Sequence, residues 1–587
     1  MPDKTTQNEC RIIHQIKKKL TDENATITKA DKGNSIVILY IDDYNRKIDN
    51  FISNNSFTLA TRDVTNKLQR DVKTAIETCR EVIPREDRWI YKKLNPTIPA
   101  IRGLVKIHKD DYPIRPVINW KNAPAYKFAK VLTKKLLRYI SLPYTYNFKN
   151  TNHLINDLKE IPCNQNLRLA SLDIANMYSN IPTGELITIV IKACQNNYIE
   201  NNLKHDIVKV AKTIVEQNCF QFGGRTYVQS EDLAMGAPTS STFSEFYLQY
   251  LESTKIYDIL TNHNIECYFR YVDDILIIYN ESKTDIDYIL DCFNKLTTKL
   301  EFTLERETIR RINFLDITIC REQKCFSMDI YRKPTSTKVI IPNDSCHPRE
   351  HKVAAIRQFH NRMVSYQLAP ENMEKEHNTI LQILNSNKYD TSTLRKLNTK
   401  KGNKHKGDKT KWVKFTYVGR ETRAITKVLQ NTNVKVTFGT DNTIKKLLTT
   451  RHEHTRSKYE NSRICQLTCP TYSRKYTGQT GRPFRVRFQE NFRDFKYGNG
   501  KSRFAAHLLE NKHSISPMDN IIETLHTTGK DRMMDILERF DIFRQTKTNN
   551  QINDKLTIKP NIIFECIVQG DPHRGLPAAY RHLKQST

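Results

Sequence analysis

The sequence lacks several features that would assign it to a common class of protein. None of its apolar runs approaches the ~20 residues needed to cross a bilayer. The N-terminal Met1-Pro2-Asp3-Lys4 is not followed by an apolar stretch, so a secretory signal is not expected. The chain also shows no internal repeat. These absences predict a protein of the nucleus and cytoplasm that neither enters a membrane nor forms a repeat array.

Acidic residues are too few to balance the basic ones. The 587 residues include 94 Lys and Arg but only 64 Asp and Glu, which gives a formal net charge of +30. Nucleic acid is the first candidate partner for such an excess, because each neutralised phosphate releases counterions. A membrane surface is the second candidate, and a merely soluble basic protein is the alternative. The 13 scattered cysteines favour reduced thiols over disulfides.

An Asp-Asp pair between two β-prone apolar segments is the most informative motif. Asp273 and Asp274 lie in the run Arg270–Tyr279, which predicts a strand, a tight turn and a second strand. Carboxylates on a rigid hairpin suit Mg²⁺, which takes hard oxygen ligands and keeps positions open for phosphate. The other two pairs lie in polar surroundings and are predicted to be solvated turns: Asp42-Asp43 and Asp110-Asp111.

Further elements frame this hairpin. Residues 103–109 and 113–118 predict two basic hairpin arms, and a strand over Leu167–Leu172 is predicted to end at Asp173. Thr239 is predicted to cap a helix that has an apolar face. One more strand is predicted over Phe314–Ile319. Residues 345–395 read as mainly helical, and residues 412–450 as strand, helix, strand and helix.

The order of the acids resembles the palm of reverse transcriptases. Nucleotide transfer uses two metal ions about 3.5–4 Å apart, which three carboxylates from neighbouring strands can hold. Asp173 stands 100 residues before Asp273, with a helix-rich crossover between them. The stretches that resemble the three palm motifs are Leu172–Tyr178, Ala234–Ser240 and Tyr271–Asp274.

This resemblance implies roles for further residues. Tyr178 falls where the family has an aromatic that blocks a ribose 2′ hydroxyl, and Gly236 where backbone approaches the template and incoming base. Lys106 and Arg115 fall where basic residues clamp the triphosphate, a task that suits a guanidinium fork. Taken singly, Tyr178 also fits a core aromatic and Arg115 a surface charge. Their joint order favours the polymerase.

Five further stretches point to a narrower family: Ala30–Gly33, Gly103–Lys109, Asn313–Asp316, Tyr331–Thr335 and Ser345–Pro348. They resemble Penelope-like retroelements, a family related to telomerase catalytic subunits. The similarity runs over about residues 25 to 545, nearly the whole chain. The sequence departs from the family at Val105, where proline is usual, and at Asp232, where the second palm motif usually has glycine.

A C-terminal stretch runs from Tyr476 to Arg482 and is followed by Arg487. It resembles the second half of a GIY-YIG endonuclease, a domain that many members of this family carry. The resemblance implies that Tyr476 orients or deprotonates a water, Arg487 stabilises the phosphorane charge and Glu538 holds one Mg²⁺. In the first half, Arg463-Ile464-Cys465 stands where Gly-Ile-Tyr is expected, and Asn491 replaces a usual histidine. Nicking is therefore predicted to be impaired.

The same region has a set of potential zinc ligands. Family members often carry two cysteines and two histidines here, and Cys465, Cys469, His507 and His513 could supply four ligands. Tyr472 stands near where a second cysteine is usual. Ordinary buried cysteines and surface histidines are the alternative.

Together these features predict an α+β fold, a right-hand polymerase with fingers, palm and thumb followed by a small α/β GIY-YIG-like domain. We expect 1–165 to form the N-terminal region and fingers, 166–335 the palm, 336–394 the thumb, 395–454 a basic linker with a small α/β module, 455–550 the nuclease-like domain and 551–587 a tail. Positive charge in 395–411 and at Lys352, Arg357 and Arg362 would hold an A-like duplex.

The resemblance implies an RNA-directed DNA polymerase of a retrotransposon. Its partners would be an RNA template, a DNA primer, target DNA and deoxynucleoside triphosphates, with two Mg²⁺ ions in the polymerase site. Integration would use a nicked chromosomal end as primer. The alternatives are telomerase-like extension of free DNA ends without nicking, and a non-catalytic remnant that binds nucleic acid.

Overall fold

The computed structural model places most of the chain. It describes residues 4–33, 35–55, 57–61, 64–91, 96–229, 232–234, 236–394, 411–419, 421–430, 432–439, 448, 464–480, 484–499, 502–526, 532–553 and 562–569. The chain divides into two compact units, Met1–Thr450 and Arg451–Thr587. Among the described helices, none is both long enough and apolar enough to cross a bilayer.

The first unit mixes helices and strands, which confirms the expected α+β class. Its strands are β1 Ala25–Lys29, β2 Ile36–Tyr40, β3 Phe57–Leu59, β4 Ile101–Val105, β5 Ile114–Ile118, β6 Leu167–Ala175, β7 Cys219–Phe222, β8 Arg225–Gln229, β9 Ile265–Tyr271, β10 Asp274–Asn280, β11 Glu301–Arg306, β12 Arg311–Phe314, β13 Ile317–Arg321, β14 Phe326–Ile330, β15 Lys411–Thr416 and β16 Val434–Gly439.

Helices lie between most of these strands. They are α1 Lys4–Asp22, α2 Ile41–Ser53, α3 Thr65–Thr78, α4 Arg88–Tyr91, α5 Tyr126–Tyr139, α6 Thr151–Glu160, α7 Thr183–Asn196, α8 Asn201–Val215, α9 Ser240–Leu251, α10 Tyr257–Asn262, α11 Ile286–Asn294, α12 Arg349–Lys352, α13 Ala354–Ser365, α14 Pro370–Ser386 and α15 Glu421–Thr426. A turn of π-helix, Glu252–Ile256, joins α9 to α10.

An antiparallel sheet in the order β11-β6-β10-β9 lies between two hydrophobic cores. Strand β10 is apolar and buried from Ile275 to Tyr279 because its side chains alternate between the two cores. Ile275 and Ile277 enter one core, and Leu276 and Ile278 enter the other. Burial on both faces anchors β10, and its pairing with β9 confirms the predicted strand, turn and strand.

Two further hairpins, β1–β2 and β4–β5, lie before this sheet. The β4–β5 pair confirms the two predicted basic arms, with Ile101 opposite Ile118 and Val105 opposite Ile114. The two hairpins are joined, because the Asp31 amide donates to the carbonyl of Val105 at 2.8 Å.

Four local predictions differ from the structure. Strand β6 continues two residues past Asp173, to Ala175. Thr239 precedes α9 but makes no side-chain cap hydrogen bond. Residues 42 and 43 lie in the first turn of α2 rather than in a loop, where a helix dipole favours acids. The predicted strand Phe314–Ile319 is interrupted: residue 314 ends β12, residues 315 and 316 form a turn in which Leu315 takes a positive φ of 52°, and β13 begins at residue 317.

The end of the first unit follows the predicted patterns where it is described. Helices α12, α13 and α14 occupy the region predicted to be helical, and β15 and β16 pair in parallel across α15. The last helix predicted before residue 450 falls largely outside the described residues, as does the basic linker from 395 to 410.

The second unit contains an antiparallel sheet in the order β18-β17-β19. Its core includes Leu467, Phe484 and Phe504. Arg463, Gly481, Arg482 and most of the predicted tail lie outside the described residues. The elements are β17 Ile464–Thr468, β18 Lys475–Gln479, α16 Phe484–Lys496, α17 Arg503–Glu510, α18 Met518–Ile521, β19 Ile522–His526, α19 Arg532–Lys547 and α20 Ile562–Gln569.

Candidate active site

Three carboxylates meet at one end of the central sheet. Asp173 of β6 is the direct cross-strand partner of Asp274 of β10. Such partners share a face, with Cβ atoms about 4.5–5.5 Å apart. The carbonyl of Asp273 accepts the N–H of Ile174 at 3.3 Å, which ties the turn to the neighbouring strand. The structure therefore brings together the acids that the sequence singled out, and their metal-binding role stays a prediction.

The acids repel one another, and this repulsion helps to raise the pKa values of Asp273 and Asp274. Burial, followed by the charges of Asp273 and Asp173, raises the pKa of Asp274 to about 6. Burial, with the charge of Asp173, also raises the pKa of Asp273. The carboxylates are thus incompletely compensated by the cations around them. A divalent cation would supply the missing positive charge, so the donor set fits Mg²⁺.

The predicted triphosphate residues lie on the β4–β5 hairpin, and Arg115 is close enough to act electrostatically on Asp273. The Nε atom of Arg115 is 3.0 Å from Oδ1 of Asp31, whose side chain is 2% exposed. The charge of Arg115 also opposes the upward shift in the pKa of Asp273. Burial, with the charges of Lys109 and Arg115, lowers the pKa of Lys106. A cationic patch therefore adjoins the carboxylates, and the residue that holds Arg115 was not anticipated.

Two lysines beside the acids were also missed. Lys32 and Lys333 line a cleft of about 810 Å³ together with Asp274. Gly33 has a φ of +78°, and a Cβ there would lie 2.4 Å from the carbonyl oxygen of Thr335. Only glycine permits this contact, which joins the two lysine-bearing loops. Both loops belong to stretches that resemble the Penelope-like family, and this resemblance is the sequence signal that could have pointed to the two lysines.

Tyr178 lies near the same carboxylates, and Gly236 lies against the β4–β5 hairpin. Tyr178 is half-buried, and burial followed by the charge of Asp273 raises its pKa. Gly236 has a φ of +84°, and a Cβ there would lie 2.2 Å from the carbonyl oxygen of Ile118. The glycine is therefore required by a backbone contact with the end of β5. Its approach to a template base stays a prediction.

Arg362 has a different partner from the one expected. It was predicted to hold a nucleic-acid backbone, but its Nη2 donates to the carbonyl of Asp316 at 2.9 Å. The carboxylate of Asp316 also accepts hydrogen bonds from Tyr366 and Thr151, each at 2.7 Å. This network fixes α13 to the β12–β13 turn. Nε of Arg362 is also 3.2 Å from a carboxylate oxygen of Asp316. Arg362 therefore supports this network, and its contact with a nucleic-acid backbone stays a prediction.

In the second unit, three of the four proposed zinc ligands lie together. The ligand atoms of Cys469, His507 and His513 are all within 4.8 Å of one another, and the three residues are buried. Among the described residues, none is a hydrogen-bond partner of Nε2 of His507. Burial, with the charge of His513, lowers the pKa of His507, which favours the neutral form that binds metals. An unpartnered buried nitrogen beside a thiol fits zinc.

Cys465 does not belong to this group, which corrects the four-ligand prediction. Its thiol donates to the carbonyl of Gly478 on the adjacent strand, at 3.5 Å. Burial raises the pKa of Cys465 to about 11, so it remains a thiol. Position 465 lies within β17, whereas Cys469 follows the end of that strand. The strand therefore directs the two sulfur atoms into different surroundings.

The predicted nuclease residues occupy separate elements of the second unit. Tyr476 lies on β18 opposite Leu467. Arg487 of α16 forms an ion pair with Glu490 at 3.4 Å. Glu538 of α19 accepts the N–H of Gln479 at 2.8 Å, and burial raises its pKa. Arg487 and Glu538 both act electrostatically on Cys465, so they face the same part of the sheet.

A comparison with protein-family models gives a match over part of the chain. The family model for the animal helix-turn-helix domain matches residues 339–398, which include α12 to α14. No curated protein matches the chain.

Among solved structures, the chain is similar to telomerases and to an RNA-dependent RNA polymerase. Telomerase from Candida albicans in complex with a TWJ fragment of telomeric RNA is 12% identical, with a TM-score of 0.44; the match covers 65% of this chain and 66% of that one. Apo telomerase from Candida tropicalis is 10% identical, with a TM-score of 0.39, covering 65% and 68%. The Sicinivirus 3Dpol polymerase is 12% identical, with a TM-score of 0.35, covering 56% and 70%. The chain thus spans just under two thirds of the Candida albicans telomerase. Scores below 0.5 do not establish a shared fold.

Proposed function

We propose that this chain is an RNA-directed DNA polymerase of a Penelope-like retroelement. The observation that carries the proposal is the meeting of Asp173, Asp273 and Asp274 at one end of a doubly buried sheet. The β4–β5 hairpin brings Arg115 near Asp273, and Lys106 lies near Arg115. The family assignment is supported by the stretches that resemble Penelope-like elements, two of which meet at the contact of Gly33 with Thr335.

Each part of the site has a distinct task in this proposal. Two Mg²⁺ ions held by the three acids would supply the charge that stabilises nucleotidyl transfer. Arg115 and Lys106 bind the triphosphate, because Arg115 presents a guanidinium beside Asp273 and Lys106 adds a second cation next to it. Tyr178, which is half-buried and near Asp273, excludes nucleotides that carry a 2′ hydroxyl. The net charge of +30 attracts an RNA template and a DNA primer.

Primer extension on an RNA template tests this proposal. The purified full chain should extend a DNA primer with deoxynucleotides and Mg²⁺, and Asp273→Asn should abolish extension while template–primer binding persists. Asp110→Asn is the matched control, because residue 110 is an exposed acid in a turn. The control should extend the primer as the unmodified chain does.

The substrate preference tests the role of Tyr178. The unmodified chain should favour deoxynucleotides over ribonucleotides, and Tyr178→Ala should reduce that preference. Extension of free DNA ends in the absence of any nicking would favour telomerase-like activity. Template–primer binding by an unmodified chain that does not extend primers would favour a non-catalytic remnant.

For the second unit, we propose a GIY-YIG-like domain with a zinc site formed by Cys469, His507 and His513. Its nicking activity is impaired, because Cys465 remains a buried thiol where the family has a phenol. Zinc measured by mass spectrometry in the purified chain should fall to background in His513→Ala and persist in His205→Ala, an exposed control. Any plasmid nicking should disappear in Glu538→Ala; equal background in both proteins would show that the domain does not cut DNA.

A further inference from the structure

A buried arginine lies directly beneath the turn that carries the two adjacent acids. Arg270, the penultimate residue of β9, has a side chain that is 1% exposed. A guanidinium has five N–H donors, and burying any of them without a partner is costly. The groups that accept hydrogen bonds from these five donors are therefore the groups that Arg270 holds in place.

All five donors of Arg270 have acceptors. Two are directed at Glu252, from Nε at 2.5 Å and from Nη2 at 3.1 Å. Two are directed at Glu245, from Nη2 at 2.8 Å and from Nη1 at 3.1 Å. The remaining Nη1 donor reaches the carbonyl of Val272 at 3.3 Å. Two carboxylates thus fix the plane of the guanidinium, and its last donor binds the backbone of the turn.

The residue whose carbonyl accepts this hydrogen bond, Val272, has an unfavourable backbone conformation. Val272 has a φ of +59°, which is rare for a β-branched residue. Such a conformation persists only where the surroundings enforce it. Val272 immediately precedes Asp273, so its backbone angles set the direction of that carboxylate. A hydrogen bond to the Val272 carbonyl is well placed to hold the strained turn.

The two glutamates connect the turn to the preceding helix. Glu245 belongs to α9 and also accepts hydrogen bonds from Asn147 at 2.9 Å and Gln249 at 2.6 Å. Glu252 follows α9 in the π-helical turn and accepts a hydrogen bond from Tyr268 at 3.5 Å. Burial opposes ionisation of Glu245, but the hydrogen bonds and charge of Arg270 outweigh it and lower its pKa.

We propose that Arg270, held by Glu245 and Glu252, is a positioning residue. It stabilises the strained turn at Val272 and so directs the carboxylate of Asp273 towards the metal ions. This inference rests on the proposed polymerase function for its catalytic readout. Its metal-binding readout does not require catalysis.

The test compares two arginine-to-lysine variants of the full chain. Arg270→Lys keeps the buried charge but cannot serve the carboxylates and the turn at once. Arg321→Lys is the matched control: Arg321 is 6% exposed and donates to Glu307 through Nε and Nη2, but it lies on β13, in another sheet. Both variants should lose a similar amount of thermal stability, because both break a buried guanidinium–carboxylate fork.

Only Arg270→Lys should affect the site. We expect its kcat for primer extension to fall about 10- to 100-fold, since an active-site displacement of ~1 Å costs about that much. KM for the deoxynucleotide should change little, because Arg115 and Lys106 are untouched. Calorimetric titration with Mn²⁺ alone should show weaker binding than in the unmodified chain. Arg321→Lys should keep the unmodified kcat and Mn²⁺ affinity.

Several outcomes would overturn the inference. Unchanged kcat and Mn²⁺ binding in Arg270→Lys, with lowered stability, would show that the arginine only supports the fold. Equal losses of Mn²⁺ binding in both variants would show a general loss of structure. If the unmodified chain does not extend primers, the proposed function fails, and the Mn²⁺ titration alone decides the role of Arg270. Should Arg270→Lys not fold, Glu245→Gln, which keeps shape and one acceptor oxygen, must show the same selective loss in smaller measure.

Discussion

Replacing Asp274 by Asn should stabilise the metal-free protein even though it removes a proposed metal ligand. Burial, followed by the charges of Asp273 and Asp173, raises the pKa of Asp274 from 3.8 to about 6. An acid with a raised folded-state pKa binds protons more tightly when folded than when unfolded. The native state therefore loses stability as the pH rises from about 4 to about 6, and the full cost is present above that range.

The size of this cost follows from the shift in pKa. A shift of about 2 units corresponds to about 3 kcal/mol for a fully buried group. Asp274 is only partly buried, so screening by water reduces the cost to about 2 kcal/mol. Asparagine keeps the shape of the side chain and removes the charge. For a unit of this size, we expect Tm to rise by about 2 °C at neutral and alkaline pH.

Thermal unfolding followed by intrinsic fluorescence measures this difference. With EDTA at pH 8, Asp274→Asn should have the higher Tm, and the gap should close as the pH falls to about 4. Added Mg²⁺ should raise the Tm of the unmodified chain, because the ion binds only the folded state, and should have less effect on the variant. A variant that is less stable at pH 8 with EDTA, or a gap that does not depend on pH, would refute the reasoning.

The remaining predictions concern backbone contacts and the attachment of α13. Gly236→Ala should lower the free energy of unfolding by about 2 kcal/mol or more, because φ is positive and the Cβ would meet the Ile118 carbonyl. Gly184→Ala should instead raise it by up to about 1 kcal/mol, since it lies in a helix with open space around it. Asp316→Ala should leave the Tyr366 hydroxyl without its acceptor and increase hydrogen exchange in α13.

Chemical denaturation of the two glycine variants and exchange mass spectrometry of the aspartate variant provide the measurements. Equal effects of alanine at positions 236 and 184 would contradict the steric argument, because only the first has a backbone oxygen within 2.2 Å of the added carbon. Unchanged exchange in α13 would show that Arg362 and its neighbours hold that helix without the carboxylate.

Local pattern was sufficient for the elements that depend on nearby residues. The run Ile275 to Tyr279 predicts a strand, and the β4–β5 and β9–β10 hairpins follow from apolar segments joined by turns. The pairing of β6 with β10 was not visible locally, but the resemblance of their motifs to a palm placed Asp173 beside Asp273 and Asp274. Where the backbone departs from its common conformations, pattern failed: Leu315 turns the chain inside a segment that reads as one strand.

Side-chain partnership depended on contacts between distant parts of the chain. Nothing adjacent to Arg270 indicates that Glu245 and Glu252 would enclose it, and nothing adjacent to Arg362 indicates that Asp316 would engage it. Cys465 and Cys469 look equivalent in the sequence, yet only one reaches the two histidines. Periodicity and turn chemistry act over a few residues, whereas ion pairs and ligand sets form between segments that the folded cores bring together.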